Sequence, residues 1–185
     1  MAGRFGMVAI AAACCLFAQP ALAQQRPANS IDGTAIISSL GPDAVMPALA
    51  VATANQLVEA RPDGTPFISA TAMNGLVMQI SFTSCDEGGQ TGCLGMSIVS
   101  VWTAAEPEVQ AQIAAAVRGF LIDHPLANAG QFDDGTPYFS RYVIADYGIA
   151  QGNLLSEFSN FVSGATDFHN MLAGIDGGLG AMPSS

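Results

Sequence analysis

Two cysteines in the stretch TSCDEGGQTGC, residues 83–93, constrain the fold of this chain more than any other feature of its sequence. The segment before them, residues 76–83, alternates apolar and polar residues from Met78 onward. The segment after them, residues 94–102, is rich in β-branched and large apolar residues, so both segments predict strands. The residues between the cysteines have the composition of a turn, with glycines that accept positive φ. The stretch therefore predicts a β-hairpin that carries one cysteine on each arm.

Three kinds of chemistry compete for Cys85 and Cys93. A structural zinc site usually needs four ligands at short spacing, whereas seven residues separate these two sulfurs and the chain has only two histidines. A thioredoxin-like redox site needs the CxxC spacing at the start of a helix, which is absent here. We therefore predict a structural disulfide between Cys85 and Cys93 that fixes the register of the hairpin.

The first 23 residues have the pattern of a secretory signal peptide. Arg4 precedes an apolar run at residues 7–18, and Ala21-Leu22-Ala23 is the small-x-small pattern that signal peptidase recognises. The apolar run is shorter than the roughly 20 residues that cross a bilayer. The sequence predicts cleavage after Ala23 and a periplasmic or secreted protein that does not insert into a membrane after cleavage. Such a compartment also favours the predicted disulfide.

The strongly acidic composition disfavours several partner classes. The formal net charge is −10, and removal of Arg4 with the leader would lower it to −11. A chain of this charge repels phosphate backbones and anionic lipid headgroups, so we expect neither nucleic acid nor lipid as a partner. The acidity also favours solubility without any role in binding.

After the leader, the sequence predicts an N-terminal lead at residues 24–42, one α+β domain at residues 43–172 and a flexible glycine-rich tail at residues 173–185. Within the domain the pattern predicts helices at residues 44–55, 105–124 and 153–172, and strands at residues 56–60, 67–70, 76–83, 94–102 and 138–144. The Pro62-Asp63-Gly64 and Asn74-Gly75 turns predict that the first four strands follow one another in antiparallel order. We therefore expect an antiparallel sheet with helices packed on it.

Three pieces of the domain resemble the YbjN-domain family, which is similar in fold to type III secretion chaperones. They are the hairpin FTSCDEGGQTGCLGM, the turn and strand FDDGTPYFSRYVIADYG, and the helix LLSEFSNFVSGATDF. The resemblance covers residues 43–172. It implies a chaperone-like α+β domain of a kind labelled as sensory transduction regulators, with no established enzymatic activity. It also suggests that a sheet face or a helix groove holds a segment of another protein, often in a dimer.

Two groups of residues are candidates for contact with a partner. Arg141 lies in a predicted strand near Tyr142 and Asp146, where it forms either an internal ion pair or a contact for a partner's carboxylate. The last predicted helix carries a broad apolar stripe that includes Phe158 and Phe161. Such a stripe is either core or the surface of a dimer or partner groove.

The sequence contains no motif for a cofactor, a metal or a catalytic nucleophile: the GxSxG pattern is absent, and Asp133-Asp134-Gly135 has turn chemistry without the ligand spacing of a calcium loop. We therefore predict a non-enzymatic, exported domain that acts by protein binding as a chaperone-like or regulatory module. A small-molecule sensor module is one alternative. The other is an unrecognised periplasmic enzyme built around His124 or His169.

Overall fold

The computed structural model of the protein describes residues 31–86 and 91–175. The predicted signal peptide, the first part of the lead, residues 87–90 of the hairpin and the last ten residues of the tail lie outside this description. The elements in chain order are β1 (Ile36–Ile37), α1 (Pro42–Ala52), β2 (Thr53–Ala60), β3 (Pro66–Ala72), β4 (Val77–Thr83), β5 (Gly95–Val101), α2 (Pro107–Asp123), β6 (Asn128–Gln131), β7 (Pro137–Ile144), β8 (Ile149–Ala150) and α3 (Gln151–Ala173).

The main sheet has six strands in the order β2-β3-β4-β5-β7-β6, and every neighbouring pair is antiparallel. The short strands β1 and β8 form a separate antiparallel pair. The three helices pack on one face of the main sheet, with α3 in contact with both α1 and α2. The predicted α+β class and the antiparallel order of β2 to β5 are thus confirmed.

The core lies between the sheet and α3, whose apolar stripe faces the inward side chains of the strands. Six residues of α3, spaced three or four apart, are completely buried: Leu154, Phe158, Phe161, Ala165, Phe168 and Leu172. Phe139 of β7 contacts the rings of Phe161 and Phe168 with centroids 5.5 and 6.0 Å apart. Trp102, just after β5, meets Phe168 edge to face at 5.2 Å. These aromatic contacts fix α3 against the sheet.

The structure differs from the predicted elements at the end of α1, at β6 and in the short β1–β8 pair, which the sequence did not predict. Helix α1 ends at Ala52 rather than at residue 55, because Thr53 begins β2 and its hydroxyl donates to the Leu49 carbonyl at 2.7 Å. The sequence also gave no signal for β6, whose residues Asn-Ala-Gly-Gln include one buried apolar side chain, Ala129. Pairing with β7, rather than strand propensity, makes this edge segment a strand.

The two edge hairpins, β2–β3 and β6–β7, have the same loop sequence and the same loop hydrogen bond. Residues 63–66 and 134–137 both read Asp-Gly-Thr-Pro, and the glycines have φ values of 84° and 85°. The Thr65 N–H donates to the Asp63 carboxylate at 2.9 Å, and the Asp134 loop repeats this hydrogen bond at 2.9 Å. These backbone donors hold the pKa of both carboxyls below the ordinary value. The Asp-Asp-Gly stretch is therefore a hairpin turn, as predicted.

The six-stranded sheet consists of two similar halves. From each edge toward the middle, the strands are β2, β3 and β4 on one side and β6, β7 and β5 on the other. Each edge hairpin directly follows a helix whose first residue is proline, α1 in one half and α2 in the other. Because neighbouring strands are antiparallel, the order and directions of the strands in one half match those of the other half after a two-fold rotation between β4 and β5.

Candidate functional site

The hairpin between β4 and β5 carries the predicted disulfide. Cys85 and Cys93 lie beyond the last ladder pair, Thr83 with Gly95, and their sulfurs are joined. The Leu40 N–H donates to the Cys93 carbonyl at 2.6 Å, so the bridged end of the hairpin also holds the segment before α1. Cys93 is 1% exposed. This environment fits a structural bridge rather than a reactive thiol.

The face of the sheet opposite the helices is the broadest candidate for an interaction surface. Among the described residues, no helix packs on it. We define the open face as the outward positions of the three strands β4, β5 and β7, which are Val77, Gln79, Ser81, Thr83, Gly95, Ser97, Val99, Val101, Tyr138, Ser140, Tyr142 and Ile144. None of the fifteen acidic and five basic residues of the chain occupies these positions.

Two tyrosines lie flat across the open face. A Cβ atom on Gly95 would meet the Tyr142 hydroxyl at 2.0 Å, and one on Gly130 would meet the Tyr138 hydroxyl at 2.5 Å. Each ring therefore covers a glycine of a neighbouring strand instead of standing away from the sheet. The Tyr142 hydroxyl also shares a hydrogen bond of 2.8 Å with Thr83, which holds the ring across β5. The result is a level surface of small polar, aliphatic and aromatic groups.

Several apolar side chains of this surface remain in solvent. Val101 is 45% exposed, Tyr142 52% and Ile144 61%. Two charged groups lie toward the β2 edge, with β3 between them and the open face. Glu59 of β2 accepts from the Ser69 hydroxyl, and the guanidinium of Arg61, just after β2, lies over the Phe67 ring of β3 and donates to Ser81 of the open face. A nearly uncharged, partly apolar face is typical of the centre of a protein interface.

The structure separates the five predicted partner contacts. Tyr142 lies on the open face, whereas Arg141 points to the helix side and its Nε donates to the Glu157 carboxylate of α3. Asp146 is exposed in the turn after β7. Phe158 and Phe161 are 0% exposed. The prediction that these two phenylalanines contact a partner is wrong in this fold, because their stripe is the one that α3 buries against the sheet.

The structure adds a groove that sequence reasoning missed. A cavity of about 450 Å³ opens between the end of α2, β7 and α3, and its lining includes Asp123, His124, Phe139, Arg141 and Asn160. Leu126, which also lines it, is 92% exposed, and the nearby Ile122 is 80% exposed. The sequence singled out His124 and Arg141 separately but not the groove, because the groove combines residues from three elements that are distant along the chain.

Both histidines contact aromatic rings. The Trp102 indole N–H donates to Nδ1 of His169 at 3.1 Å, and His124 stacks on Phe120 with centroids 4.2 Å apart. Within residues 31–86 and 91–175, no three His, Cys, Asp or Glu side chains gather in a way that would hold a metal ion. The same residues include no helix that is long and apolar enough to span a bilayer.

The Arg141–Glu157 ion pair yields a direct prediction. Its side chains are 32% and 27% exposed, so we expect a coupling of about 1 kcal/mol between Arg141→Met and Glu157→Gln in a double-mutant cycle of urea unfolding. Arg118→Met on the exposed side of α2 is the matched control and should show no coupling to Glu157→Gln. A coupling near zero for Arg141 would mean that this pair does not hold β7 to α3.

Comparison with known proteins assigns no family to the chain. No family model matches the chain, and no curated protein matches it significantly. A search of solved structures finds the crystal structure of an uncharacterized protein from Methanothermobacter thermautotrophicus. It shares 13% sequence identity at a TM-score of 0.45, and the match covers 71% of this chain and 96% of that one.

Proposed function

We propose that this chain is an exported domain of the YbjN type that binds another protein chain in a chaperone-like or regulatory role. The observation that carries the proposal is the open face, which combines twelve uncharged positions, two flattened tyrosines and exposed apolar groups. Charge-poor surfaces rich in tyrosine and aliphatic groups are favourable sites for burying area against a partner. The disulfide suits an oxidising compartment after export.

The placement of His169 also agrees with binding rather than catalysis. Its ring accepts a hydrogen bond from Trp102, whereas His124 is exposed at the groove beside α2 and stacks on Phe120. We propose a role without enzymatic turnover. Replacement of either histidine is then expected to change stability and leave partner binding at the open face intact.

Site-specific photocrosslinking tests the surface. A photoreactive amino acid at position 101, on the open face, should crosslink to a protein in the native envelope fraction. The same amino acid at position 122, which is 80% exposed on α2, is the matched control and should give little crosslinked product. Equal crosslinking from both positions, or none from position 101 in folded protein, would contradict binding through the open face.

The groove at the end of α2 favours a small-molecule sensor as the second candidate function. A volume of about 450 Å³ lies within the range of roughly 300–1,000 Å³ found for ligand pockets, and polar groups line it beside the Phe139 ring. A ligand of this groove should raise the melting temperature of the wild type, and Asn160→Trp, which fills the groove, should abolish the shift. Ligand stabilisation that survives Asn160→Trp would place the ligand elsewhere.

A further inference from the structure

We infer that the groove at the end of α2 binds a short apolar peptide of two or three residues whose amino and carboxyl termini are both charged. This inference rests on the second candidate function, the small-molecule sensor, and names the ligand class. Three features of the groove lead to it: a guanidinium with free donors, a negative wall at the end of α2, and an apolar surface beside them.

The guanidinium of Arg141 lines the groove with most of its donors free. Its Nε donates to the Glu157 carboxylate of α3. Within the described residues this is the only hydrogen bond of the Arg141 side chain, so both Nη atoms lack a protein partner. Glu157 thereby fixes the guanidinium plane and leaves the Nη edge for a planar, bidentate acceptor. A carboxylate has this geometry.

The wall that the end of α2 provides is negative. The partial negative charge of a helix lies at its C-terminus, and the last turn of α2 contains Asp123 but no basic residue. Pro125 also has no N–H to donate to the Leu121 carbonyl four residues before it. The exposed Asp123 carboxylate has no hydrogen-bond partner in the part of the chain that the structure describes. This wall therefore favours a cationic group such as the ammonium of a peptide N-terminus.

The apolar surface of the groove suits the side chains of the ligand. At Gly164, α3 lies so close to the Phe139 ring that a Cβ atom would meet its Cζ at 2.7 Å, so no side chain of α3 projects over the ring there. The segment after α2 adds Pro125, Leu126 and Ala127. Leu126 is 92% exposed. An apolar ligand that covers this side chain removes its surface from water.

The charge balance of the site favours a ligand with no net charge. Arg141 and Glu157 compensate each other, Asp123 adds a negative charge, and the whole chain has a net charge of −10. A ligand with only a carboxylate meets this negative field. A ligand with only an amine leaves the Nη edge of Arg141 without an acceptor. A peptide with both termini charged pairs with each group and adds no net charge.

The separation of the two charged groups favours a peptide over a free amino acid. Asp123 belongs to α2, whereas Arg141 is held by Glu157 of α3, and the axes of packed helices are about 8–10 Å apart. The ammonium and carboxylate of one amino acid are attached to a single carbon and cannot reach both sides. Two or three extended residues span about 7–11 Å, and the groove volume of about 450 Å³ is in the range of small-ligand sites.

Isothermal titration calorimetry of the mature, disulfide-intact chain with the dipeptide leucyl-phenylalanine tests the inference. We expect a dissociation constant below about 1 mM. Amidation of the dipeptide carboxylate should raise it about 10-fold, because the bidentate pair with Arg141 is lost. Acetylation of its amine should raise it about 3-fold, because an exposed pair with Asp123 contributes less.

Two carboxylate variants assign the ammonium contact. Asp123→Asn should raise the dissociation constant of the free dipeptide about 3-fold and leave that of the acetylated dipeptide unchanged. Asp43→Asn removes the same charge from the exposed side of α1 and is the matched control, which should bind both forms like the wild type.

The outcomes separate the ligand class from the sensor function. Absence of binding by the free dipeptide up to about 10 mM overturns the inference. Equal affinity for the free dipeptide and a form capped at both ends also overturns it, while loss of that binding in Asn160→Trp would preserve a ligand site in the groove. Binding of the free dipeptide that survives both Asp123→Asn and Asn160→Trp would place the peptide elsewhere. Crosslinking from position 101 tests protein binding at the open face independently.

Discussion

Replacing Phe158 with alanine is expected to destabilise the domain by about 3–5 kcal/mol, the usual cost of truncating a buried phenylalanine. Phe158 is 0% exposed in the middle of the α3 stripe. The substitution removes its apolar surface from the core and leaves a cavity that the neighbouring side chains fill only in part. Because the free energy of unfolding of a domain is typically about 5–15 kcal/mol, a loss of this size leaves the variant only marginally stable.

Urea unfolding followed by tryptophan fluorescence measures this loss, because Trp102 packs against Phe168 of the same helix. Phe132→Ala is the matched control, since Phe132 is 50% exposed and contacts a single ring, that of Tyr138, at 4.6 Å. We expect the control to cost about 1 kcal/mol or less. A Phe158→Ala protein as stable as the control would mean that α3 does not pack as described.

Loss of the disulfide between Cys85 and Cys93 is expected to lower the free energy of unfolding by about 2.6 kcal/mol. The bridge closes a short loop at the end of the β4–β5 hairpin, so breaking it returns loop entropy to the unfolded chain. The Cys93 carbonyl also accepts the Leu40 N–H, and that contact should weaken together with the hairpin end.

The effect is measured by urea unfolding of the wild type with and without a reducing agent. The double variant Cys85→Ala, Cys93→Ala should match the reduced wild type in stability and should not respond to the reducing agent. Intact mass after alkylation without reduction checks the bridge in exported protein, where no free thiol is expected. Two alkylated cysteines would contradict the disulfide.

The sequence correctly predicted those helices and strands whose local residue pattern favours the same structure as their packing in the fold. The hairpin around Cys85 and the long helix α3 combine clear periodicity with turn residues or a full apolar stripe, and both formed as expected. The short strand β6 was missed, because it depends on its partner β7 rather than on its own residues. The end of α1 was misplaced, because alanine-rich sequence continues beyond the point where pairing with β3 takes over.

Candidate site residues were harder to predict than secondary structure. Periodicity marked Phe158 and Phe161 as members of an apolar stripe, but it contains no information on whether the stripe faces a sheet or a partner. Arg141 was expected to form an internal ion pair or to contact a partner, and its partner Glu157 lies on a helix sixteen residues away. The open face was not visible as a site, because its neutrality emerges when strands distant in sequence are placed side by side.

The position of α3 at the end of the described fold has a consequence for how the chain matures. Three of the largest core side chains, Phe158, Phe161 and Phe168, belong to this last helix, and α3 also makes more contacts with α1 than any other element does. During synthesis, the sheet and the first two helices therefore emerge with an uncovered inner face. The core can close only when about the last twenty residues of the described fold have left the ribosome.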